Sequence, residues 1–404
     1  MYDAIIVGAR CAGSPLAMLL VRKGYRVLLL DRAHFPSDMR MSTHYIHQPG
    51  VARLKRWKLL DRVASSGCPV IRSYKYDFGQ FTLTGSPPPF EEVSEAYAPR
   101  RTVLDKILVD AAVEAGAELR EGFSVERLTG DNGRITGICG SASRGRPVTE
   151  QASIVVGADG MNSLVARSVG TPQYNRVPRR QTTYFSYWSG VDVAGLEFYP
   201  GHYRAVYAWN TNDGLALVGV NWALKQFPKL PVGIEESFFA VVDELAPSLA
   251  ARLRAGRREE RWSGGSIPGF FRKPYGSGWA LVGDASYKLD PCTAAGITDA
   301  FRDTELLAEA IDAGFADRRP LENALADYER RRDETAIPIY DFACQSALLE
   351  PPNSQMRQFL FALKDDQIER NRFFGLLAQT TPIQEFLSPD NLARIIAGAS
   401  PGAC

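Results

Sequence analysis

The sequence predicts an α/β protein in which a layer of strands and helices is interrupted by a β-rich insertion and followed by further helices. Short, fully apolar strands end in glycine-containing turns at three places, which is typical of parallel strands covered on both faces. The stretch from Thr182 to Trp222 is strand-like and rich in aromatic residues, and the last part of the chain keeps a helical pattern. The predicted boundaries are 1–68, 100–175 and 270–327 for the discontinuous α/β layer, 69–99 and 176–269 for the insertion, and 328–404 for the helical segment.

Composition and charge argue against several classes of partner. The chain has 404 residues, of which 45% are hydrophobic and 23% charged, as is ordinary for a globular protein. Its 47 basic and 46 acidic residues give a net charge of +1, so nothing electrostatic favours nucleic acid or an anionic membrane. The sequence contains no run of about 18 apolar residues and no signal-peptide pattern, so no membrane span is expected. We expect a cytoplasmic monomer or homodimer.

Cysteine and histidine usage argues against a disulfide framework and a metal site. The six cysteines are scattered and form no C-x-x-C pair, which suits free thiols in a reducing compartment. Only four histidines are present, and they form no H-E-x-x-H or comparable cluster. No protein-bound metal is therefore expected.

The N-terminal stretch contains a strand–turn–helix–strand unit. Residues Ala4–Val7 predict a buried strand, Ser14–Lys23 predict a helix that stops at Gly24, and "YRVLLLD" predicts a second strand that ends on Asp31. A glycine-rich turn in such a unit is typical of dinucleotide binding, and a carboxylate at the end of the second strand can accept both ribose hydroxyls of an adenosine. The alternative for Asp31 is an ordinary aspartate in a turn.

Two further strands end in turns that carry acidic residues and glycines. In "VVGADGMNSLVARSVG" the strand leads into Gly157, Asp159 and Gly160. In "LVGDASYKLDPCTAAGITDAF" the strand ends at Gly283-Asp284, a loop passes Pro291, and a helix starts at Gly296. The N-terminus of that helix offers unpaired N–H donors and a positive dipole end. The alternative is a strand-to-helix crossover that binds nothing.

With the R-x-x-L-D pattern of "RRTVLDKIL", these motifs resemble those of the class A FAD-dependent monooxygenases. This family has the glutathione-reductase-type FAD fold of p-hydroxybenzoate hydroxylase and is related to geranylgeranyl reductases and flavin halogenases. The resemblance covers roughly residues 1–70, 100–170 and 275–315. It implies a Rossmann-like FAD-binding domain with an inserted β-rich substrate domain and C-terminal helices, and NAD(P)H as a transient co-substrate.

The resemblance also implies which residues bind FAD. Gly8, Gly13 and Asp31 would hold the ADP half, Arg101 would reach the pyrophosphate region, and Asp159 belongs to a motif linked to both FAD and NAD(P)H. Asp284 would bond the ribityl chain or pyrophosphate, and the first helical N–H groups after Ala295 would face the flavin N1–C2=O2 edge, which is negative in reduced flavin. The full predicted set is Gly8, Arg10, Cys11, Ala12, Gly13, Asp31, Arg32, Arg40, Arg101, Asp159, Gly283, Asp284, Pro291, Gly296, Ile297 and Thr298.

Arg10 departs from the family pattern. The first turn, Gly8 to Gly13, spells "GARCAG" where G-x-G-x-x-G is usual, so an arginine replaces the middle glycine. We predict that its guanidinium pairs with phosphate oxygens or lies over the adenosine. The alternative is a solvent-facing arginine.

The resemblance leaves several activities open. A monooxygenase would use NAD(P)H and O₂ to hydroxylate or epoxidise its substrate through a flavin C4a-hydroperoxide, as in secondary metabolism or catabolism. A prenyl reductase would transfer hydride to a C=C bond; its Y-x-W-x-F-P motif is matched at Tyr207 and Trp209, but Thr211 and Asn212 replace the Phe and Pro. The W-x-W-x-I-P motif of flavin halogenases is absent, "WSGGSIP" being the nearest match. We predict a single-component monooxygenase, and the alternative is the C=C reductase. A halogenase and a non-catalytic flavoprotein are less favoured than either.

The insertion supplies the candidate substrate pocket. Its aromatic residues occupy alternating strand positions and are either sheet core or the wall of an apolar pocket. The pocket residues we predict are Tyr187, Tyr207, Trp209 and Trp222, which favour a hydrophobic, aromatic or polycyclic substrate. A charged helix is predicted at Ala246–Arg261.

The segment "RMSTHYIHQPG" supplies the candidate catalytic residues. His44 and His47 follow the second strand, in a region that borders the flavin in the family. An imidazole there can deprotonate a phenol. The alternative for each histidine is a hydrogen bond within its own loop.

Overall fold

The computed structural model describes residues 1–142, 145–226 and 233–398. Its strands are β1 (Tyr2–Val7), β2 (Val27–Leu30), β3 (Val70–Ile71), β4 (Tyr74–Asp77), β5 (Thr82–Gly85), β6 (Ala96–Tyr97), β7 (Glu118–Arg120), β8 (Phe123–Asp131), β9 (Arg134–Ala142), β10 (Val148–Gly157), β11 (Gln173–Val177), β12 (Gln181–Ser189), β13 (Leu196–Pro200), β14 (Arg204–Asn210), β15 (Leu215–Ala223), β16 (Arg257–Arg258), β17 (Ser263–Gly265), β18 (Gly269–Arg272), β19 (Tyr275–Gly276), β20 (Trp279–Leu281) and β21 (Tyr287–Lys288).

The helices of the described ranges connect and cover these strands. They are α1 (Gly13–Arg22), α2 (Gln48–Arg56), α3 (Leu60–Ala64), α4 (Arg101–Ala115), α5 (Leu164–Ser168), α6 (Ile234–Leu245), α7 (Pro247–Ala255), α8 (Gly296–Phe315), α9 (Leu321–Ser346), α10 (Ser354–Ala362), α11 (Gln367–Ala378), α12 (Ile383–Phe386) and α13 (Pro389–Gly398). Short 3₁₀ turns lie at Asn212–Gly214, Gly283–Ala285 and Pro291–Thr293.

The α/β layer is built on a sheet with the strand order β19-β20-β10-β1-β2-β7. The strands from β20 to β7 are parallel, and the β8–β9 hairpin extends antiparallel from β10. The central strands are apolar throughout because one face packs against α1, α2, α4 and α8, and the other packs against α5 and the β8–β9 hairpin. The predicted α/β fold class is confirmed.

The β-rich insertion forms a second sheet with the order β16-β12-β15-β14-β13-β4-β5, and β17 also pairs with β12. It therefore joins strands from both predicted insertion ranges. The segment Asn212-Asp213-Gly214, whose Asn-Asp-Gly sequence between two strand-like runs predicts a hairpin turn, connects the antiparallel strands β14 and β15, so the structure confirms this prediction.

The second sheet has two different faces. The inner face carries Phe185, Tyr187, Tyr207, Trp209 and Leu217 and packs against α10–α13. The outer face carries Trp188, Val206, Val218, Val220 and Trp222 and packs against α6 and α7. The two sets alternate along each strand, as the pleat requires.

The predicted helix at Ala246–Arg261 is wrong in its second half. Helix α7 ends at Ala255, Gly256 is extended, and Arg257–Arg258 pairs with β12 as an edge strand. A Cβ on Gly256 would lie 2.6 Å from the Ser189 carbonyl oxygen, so the chain passes too close to β12 for a side chain there. The pairing of Arg257–Arg258 with β12 ends the helix. The charged residues of this stretch do not predict that pairing, because it depends on residues about 70 positions away in the chain.

The C-terminal helices complete both layers. Helix α9 begins at Leu321, inside the range predicted for the α/β layer, and packs against α8 and the small sheet β11-β18-β21. Helices α10–α13 then cover the inner face through Phe359, Phe374 and Phe386. No helix in the described ranges combines the length and apolar character needed to cross a membrane.

Candidate active site

The first turn is fixed by two glycines. Gly8 has a φ of +105°, and a Cβ there would lie 2.4 Å from the Ala158 carbonyl oxygen. A Cβ on Gly13 would lie 1.8 Å from the Gly8 carbonyl oxygen. No described side chain caps α1, whose N-cap residue is Ala12. The Ser14 N–H already donates to the Arg10 carbonyl at 3.0 Å and Pro15 has no N–H, so the Gly13 N–H is the donor of the first turn that is available to an anion. The turn is therefore a close-approach site that only glycine permits.

The side chain of Arg10 forms hydrogen bonds with Asp105 and Ser37. One guanidinium nitrogen donates to Asp105 Oδ2 at 2.6 Å, and the other donates to Ser37 Oγ at 2.8 Å. Asp105 is fully buried, accepts two further bonds from Arg101 at 2.9 Å and lies 3.4 Å from Cys11 Sγ. Arg10 thus ties the first turn to the R-x-x-L-D motif on α4 instead of pointing into solvent. A phosphate contact of Arg10 stays a prediction.

Asp31 lies at the end of β2, as predicted, and organises the same turn. Its carboxylate oxygens accept N–H bonds from Ala9 and Ala33, both at 2.8 Å. Each oxygen keeps a second lone pair, so the carboxylate can still accept from ribose hydroxyls. Arg32 and Arg40 follow nearby in the chain and are exposed.

Asp159 has an unsatisfied oxygen beside open space. Its Oδ2 accepts the Leu164 N–H at 2.7 Å, whereas Oδ1 is buried without a partner among the described residues. Burial raises the pKa of this carboxyl. The adjacent Gly160 has no atom within 4 Å of a Cβ position. A buried acceptor without a partner is a feature that a ligand donor would satisfy.

The third motif lies against the first. Gly283 has a φ of +61°, and a Cβ there would lie 2.9 Å from Ala12 Cβ. Thr304 Oγ1 on α8 also donates to the Ala12 carbonyl at 3.1 Å. Asp284 pairs with Lys288 at 2.7 Å. The loops that follow the carboxyl ends of β1 and β20 are therefore in contact. Ligands of parallel sheets bind at this end of the strands.

The loop from 290 to 298 presents the N-terminus of the 20-residue helix α8. Asp290 caps the 3₁₀ turn that starts at Pro291, accepting from the Cys292 N–H at 3.0 Å and from the Gln181 amide. Burial raises the pKa of Asp290 to about 6. No described side chain caps α8, and a Cβ on Gly296 would meet no atom within 4 Å. The N–H groups of Gly296, Ile297 and Thr298, which have no carbonyl partner within the helix, are thus available at an open position.

His47 is fully buried between this loop and the second sheet. Its Nε2 lies 2.9 Å from the Thr293 carbonyl oxygen and its Nδ1 lies 3.3 Å from Tyr74 Oη. Its main-chain N–H donates to Thr298 Oγ1 at 3.0 Å. Burial lowers the pKa of His47 to about 4.

His44 reaches the inner face of the second sheet. Its Nδ1 is 2.9 Å from the Ala98 carbonyl oxygen, so it must donate there, and a neutral ring then accepts through Nε2 from Tyr187 Oη at 2.9 Å. Burial, assisted by the Arg100 cation, lowers the pKa of His44 to about 3. Arg100 lies 4.1 Å above the Tyr187 ring. Neither histidine bonds only within its own loop.

Three of the four predicted pocket residues share the inner face. Tyr207 and Trp209 stack at 5.2 Å, and Tyr207 Oη lies 2.8 Å from Thr183 Oγ1. The Nε1 of Trp209 is buried with no acceptor among the described residues. Gly219 leaves room for Tyr207, since a Cβ there would lie 2.2 Å from its ring.

Trp222 does not lie on the inner face with the other predicted pocket residues. It lies on the outer face in the cluster formed with α6 and α7, and its ring contacts Tyr184 edge-on at 6.4 Å. The pairing of Tyr207 with Gly219 puts the odd-numbered positions of β15 on the inner face and Trp222 on the other. We therefore exclude Trp222 from the pocket.

Sequence reasoning missed several residues of the site. Asp105, Gln181 and Tyr74 act through contacts with residues far away in the chain. Asp290 had a local signal, because an aspartate directly before a proline is typical of a cap. The cysteines of the described ranges are all free, and Cys404 lies outside those ranges. Those ranges also contain no group of three His, Cys, Asp or Glu side chains placed to hold a metal.

Known proteins match this sequence and this fold. Residues 1–226 match the family described as FAD binding domain. Digeranylgeranylglycerophospholipid reductase 1 of Methanopyrus kandleri is 27% identical over 367 residues, which are 87% of this chain and 91% of that protein. The structure of flavin-dependent brominase Bmp2 has a TM-score of 0.80 at 18% identity and covers 98% of both chains. That of pqsL, a probable FAD-dependent monooxygenase from Pseudomonas aeruginosa, has a TM-score of 0.71 at 21% identity, covering 93% of this chain and 99% of its own.

Fold and family together define an FAD-dependent oxidoreductase. The chain belongs to the FAD binding domain family, which confirms the predicted resemblance and the predicted cofactor. The residues present are compatible with FAD: a turn that only glycine permits, an unsatisfied buried oxygen on Asp159, and an open helix N-terminus at Gly296. NAD(P)H as co-substrate is typical of this family.

Proposed function

We propose that this chain is a monooxygenase that uses NAD(P)H and O₂ to hydroxylate or epoxidise a hydrophobic aromatic or polycyclic molecule. The observation that carries the proposal is the buried Trp209 Nε1, a hydrogen-bond donor without an acceptor among the described residues, in the aromatic cluster of the inner face. An unpaired buried donor costs about 1–3 kcal/mol, which a substrate oxygen would offset. A purely hydrocarbon chain offers no such acceptor.

Tyr187 complements this donor with an acceptor. Because its hydroxyl proton is directed to His44 Nε2, the Tyr187 oxygen keeps lone pairs free for a substrate hydroxyl. Because burial and the Arg100 cation lower the pKa of His44 to about 3, its ring stays neutral and holds the Tyr187 proton, so Tyr187 serves as a fixed acceptor and not as a proton relay. The pair thus supports a substrate that carries both a hydroxyl and a second oxygen, such as a phenol with a carbonyl group.

Bound FAD would supply hydride acceptance from NAD(P)H and activation of O₂ for oxygen transfer. We assign its ADP half to Gly8, Gly13 and Asp31, and its flavin edge to the N–H groups of residues 296–298. The apolar inner face and helices α10–α13 would keep water away from the reacting substrate carbon.

A C=C reductase is the second candidate. It is favoured by the 27% identity with the Methanopyrus kandleri reductase over most of both chains, and by Tyr207 and Trp209, which match the Y-x-W part of the prenyl reductase motif. Thr211 and Asn212 argue against it, because they replace the Phe and Pro of that motif.

The deciding experiment follows oxygen and hydride separately. The FAD-loaded protein is incubated with NADPH or NADH, ¹⁸O₂ and a panel of hydroxylated aromatic carbonyl compounds, and separately with NADPH and isoprenoid alkenes without oxygen. We expect one ¹⁸O atom in an aromatic product, with a KM raised about tenfold in Trp209→Phe. Anaerobic alkene reduction without any ¹⁸O incorporation would replace this proposal with the reductase.

A further inference from the structure

His47 bonds to both ends of the loop that leads into α8. Its ring contacts the Thr293 carbonyl, and its own main-chain N–H bonds to the Thr298 hydroxyl. We propose that His47 is a positioning residue that sets the N–H groups of residues 296–298 toward FAD, and is not a catalytic base. The inference rests on the proposed position of FAD at the N-terminus of α8, and it holds for any substrate.

The contact of the His47 ring with the Thr293 carbonyl is the last in a series of hydrogen bonds in which each group donates to the next. A carbonyl can only accept, so Nε2 carries the proton and Nδ1 accepts from Tyr74 Oη. Tyr74 in turn accepts from Tyr45 Oη at 3.1 Å. All three rings are buried, with exposures of 0% for His47 and Tyr74 and 1% for Tyr45. Both ring nitrogens are therefore occupied, and the imidazole has no free position from which to take a substrate proton.

The main-chain contact joins the N-termini of two helices. His47 is the N-cap residue of α2, and Thr298 lies in the first turn of α8. One turn further along α2, a Cβ on Gly50 would lie 3.0 Å from Thr298 Oγ1 and 3.3 Å from Thr298 Cα. This close packing places His47, at the start of α2, directly beside the first turn of α8.

Between the two clamped ends the loop adopts a conformation that needs support. Ala294 has a φ of +52°, in the left-handed region that a residue with a Cβ disfavours. Loss of the bond to Thr293 would release this loop, and the first N–H groups of α8 would lose their alignment. Because reduced flavin is negative at N1 and O2, the loss would weaken binding of reduced FAD more than that of oxidised FAD.

The test measures the midpoint potential of the FAD-loaded protein by dye-coupled reduction. His47→Ala should shift the potential negative, by an amount equivalent to about a tenfold loss of preference for reduced FAD. His47→Gln should restore most of it, since the Gln amide can donate from a position near that of Nε2. Tyr74→Phe, which leaves the ring in place, should give a smaller shift in the same direction and keeps the test valid if His47→Ala does not fold. The control is His202→Ala, an exposed histidine remote in sequence from the loop.

A potential equal to wild type in both His47→Ala and Tyr74→Phe would overturn the proposal. So would a His47→Gln protein with the wild-type potential and a lost acid limb in its pH–rate profile, because a general base must be deprotonated to act and its loss removes the rise of the rate with pH. The expected profile, including its acid limb, is unchanged in His47→Gln. A shifted potential in a protein that transfers no oxygen would leave this proposal standing and reject only the proposed monooxygenase activity.

Discussion

The two faces of the second sheet use the same kinds of residue for different purposes. On the outer face Trp188 stacks on Phe238 at 5.4 Å and α6 and α7 cover the surface, so the rings serve as core. On the inner face the polar tips of the rings are directed to named partners: Tyr187 to His44 and Tyr207 to Thr183, with Trp209 left unpaired. The difference teaches that aromatic alternation marks a sheet with two buried faces, and the unpaired Trp209 donor of the inner face is what favours the proposed substrate contact there.

The largest loss of stability should come from a substitution on the outer face. Trp188→Ala removes a ring that is 2% exposed, and we expect a loss of about 3–5 kcal/mol in the free energy of unfolding. The kcat/KM per folded molecule should stay unchanged, because the residue faces away from the proposed pocket. Urea unfolding and kinetics on the same preparation measure both quantities. A stable Trp188→Ala protein with impaired turnover would reverse the assignment of the two faces.

The next largest effect is a change in the pH dependence of stability at Asp290, a residue that bonds to Gln181 on the second sheet. Its folded-state pKa of about 6 lies above the ordinary value of 3.8, so the stability it contributes is present below about pH 4 and is lost as the pH rises through 6. We expect the stability of Asp290→Asn relative to wild type to rise by about 3 kcal/mol between pH 4 and pH 7.5.

Urea unfolding across this pH range measures that difference. The neighbouring Lys288, which favours the charged form of Asp290, and the buried Cys292 thiol are present in both proteins. The comparison of wild type with Asp290→Asn therefore isolates the titration of Asp290. A difference between the two proteins that does not change with pH would mean that Asp290 is already ionised in the folded state at pH 4.

A moderate effect is expected at Tyr187. Tyr187→Phe leaves His44 Nε2 without its donor, which should cost about 1–3 kcal/mol of stability. For a phenolic substrate we expect kcat/KM to fall about tenfold, with little change for a substrate that lacks the hydroxyl. Comparing the two substrates in wild type and variant checks this. Equal losses for both substrates would indicate that Tyr187 only packs.

The smallest structural effect is expected at Trp209. Trp209→Phe keeps most of the ring and removes an unpaired donor, so the free energy of unfolding should change by less than about 1.5 kcal/mol. Differential scanning calorimetry measures this change. A loss as large as that of Trp188→Ala would show that the two faces do not differ in the way described.

The sequence predicts the parts of the fold that depend on nearby residues. The strand–turn–helix–strand unit at β1, α1 and β2 and the hairpin at Asn212–Gly214 follow from apolar periodicity and turn residues. The side of the sheet on which Trp222 lies depends on the pairing of β14 with β15, and the bond from His47 to Thr293 joins residues 246 positions apart. Local patterns carry no information on such register and distance, so the FAD motifs were predictable while the contacts that hold them in place were not.

The covering of the inner face by α10–α13 has a consequence for synthesis. These helices follow the strands of the second sheet in the chain, so a ribosome completes the strands before it makes the helices that cover them. During that interval the aromatic inner face is bare, and such a surface is prone to aggregate or to recruit chaperones. The parallel strands around the FAD motifs need none of α10–α13 for their own cover, so the nascent chain can acquire its cofactor before its inner face is covered.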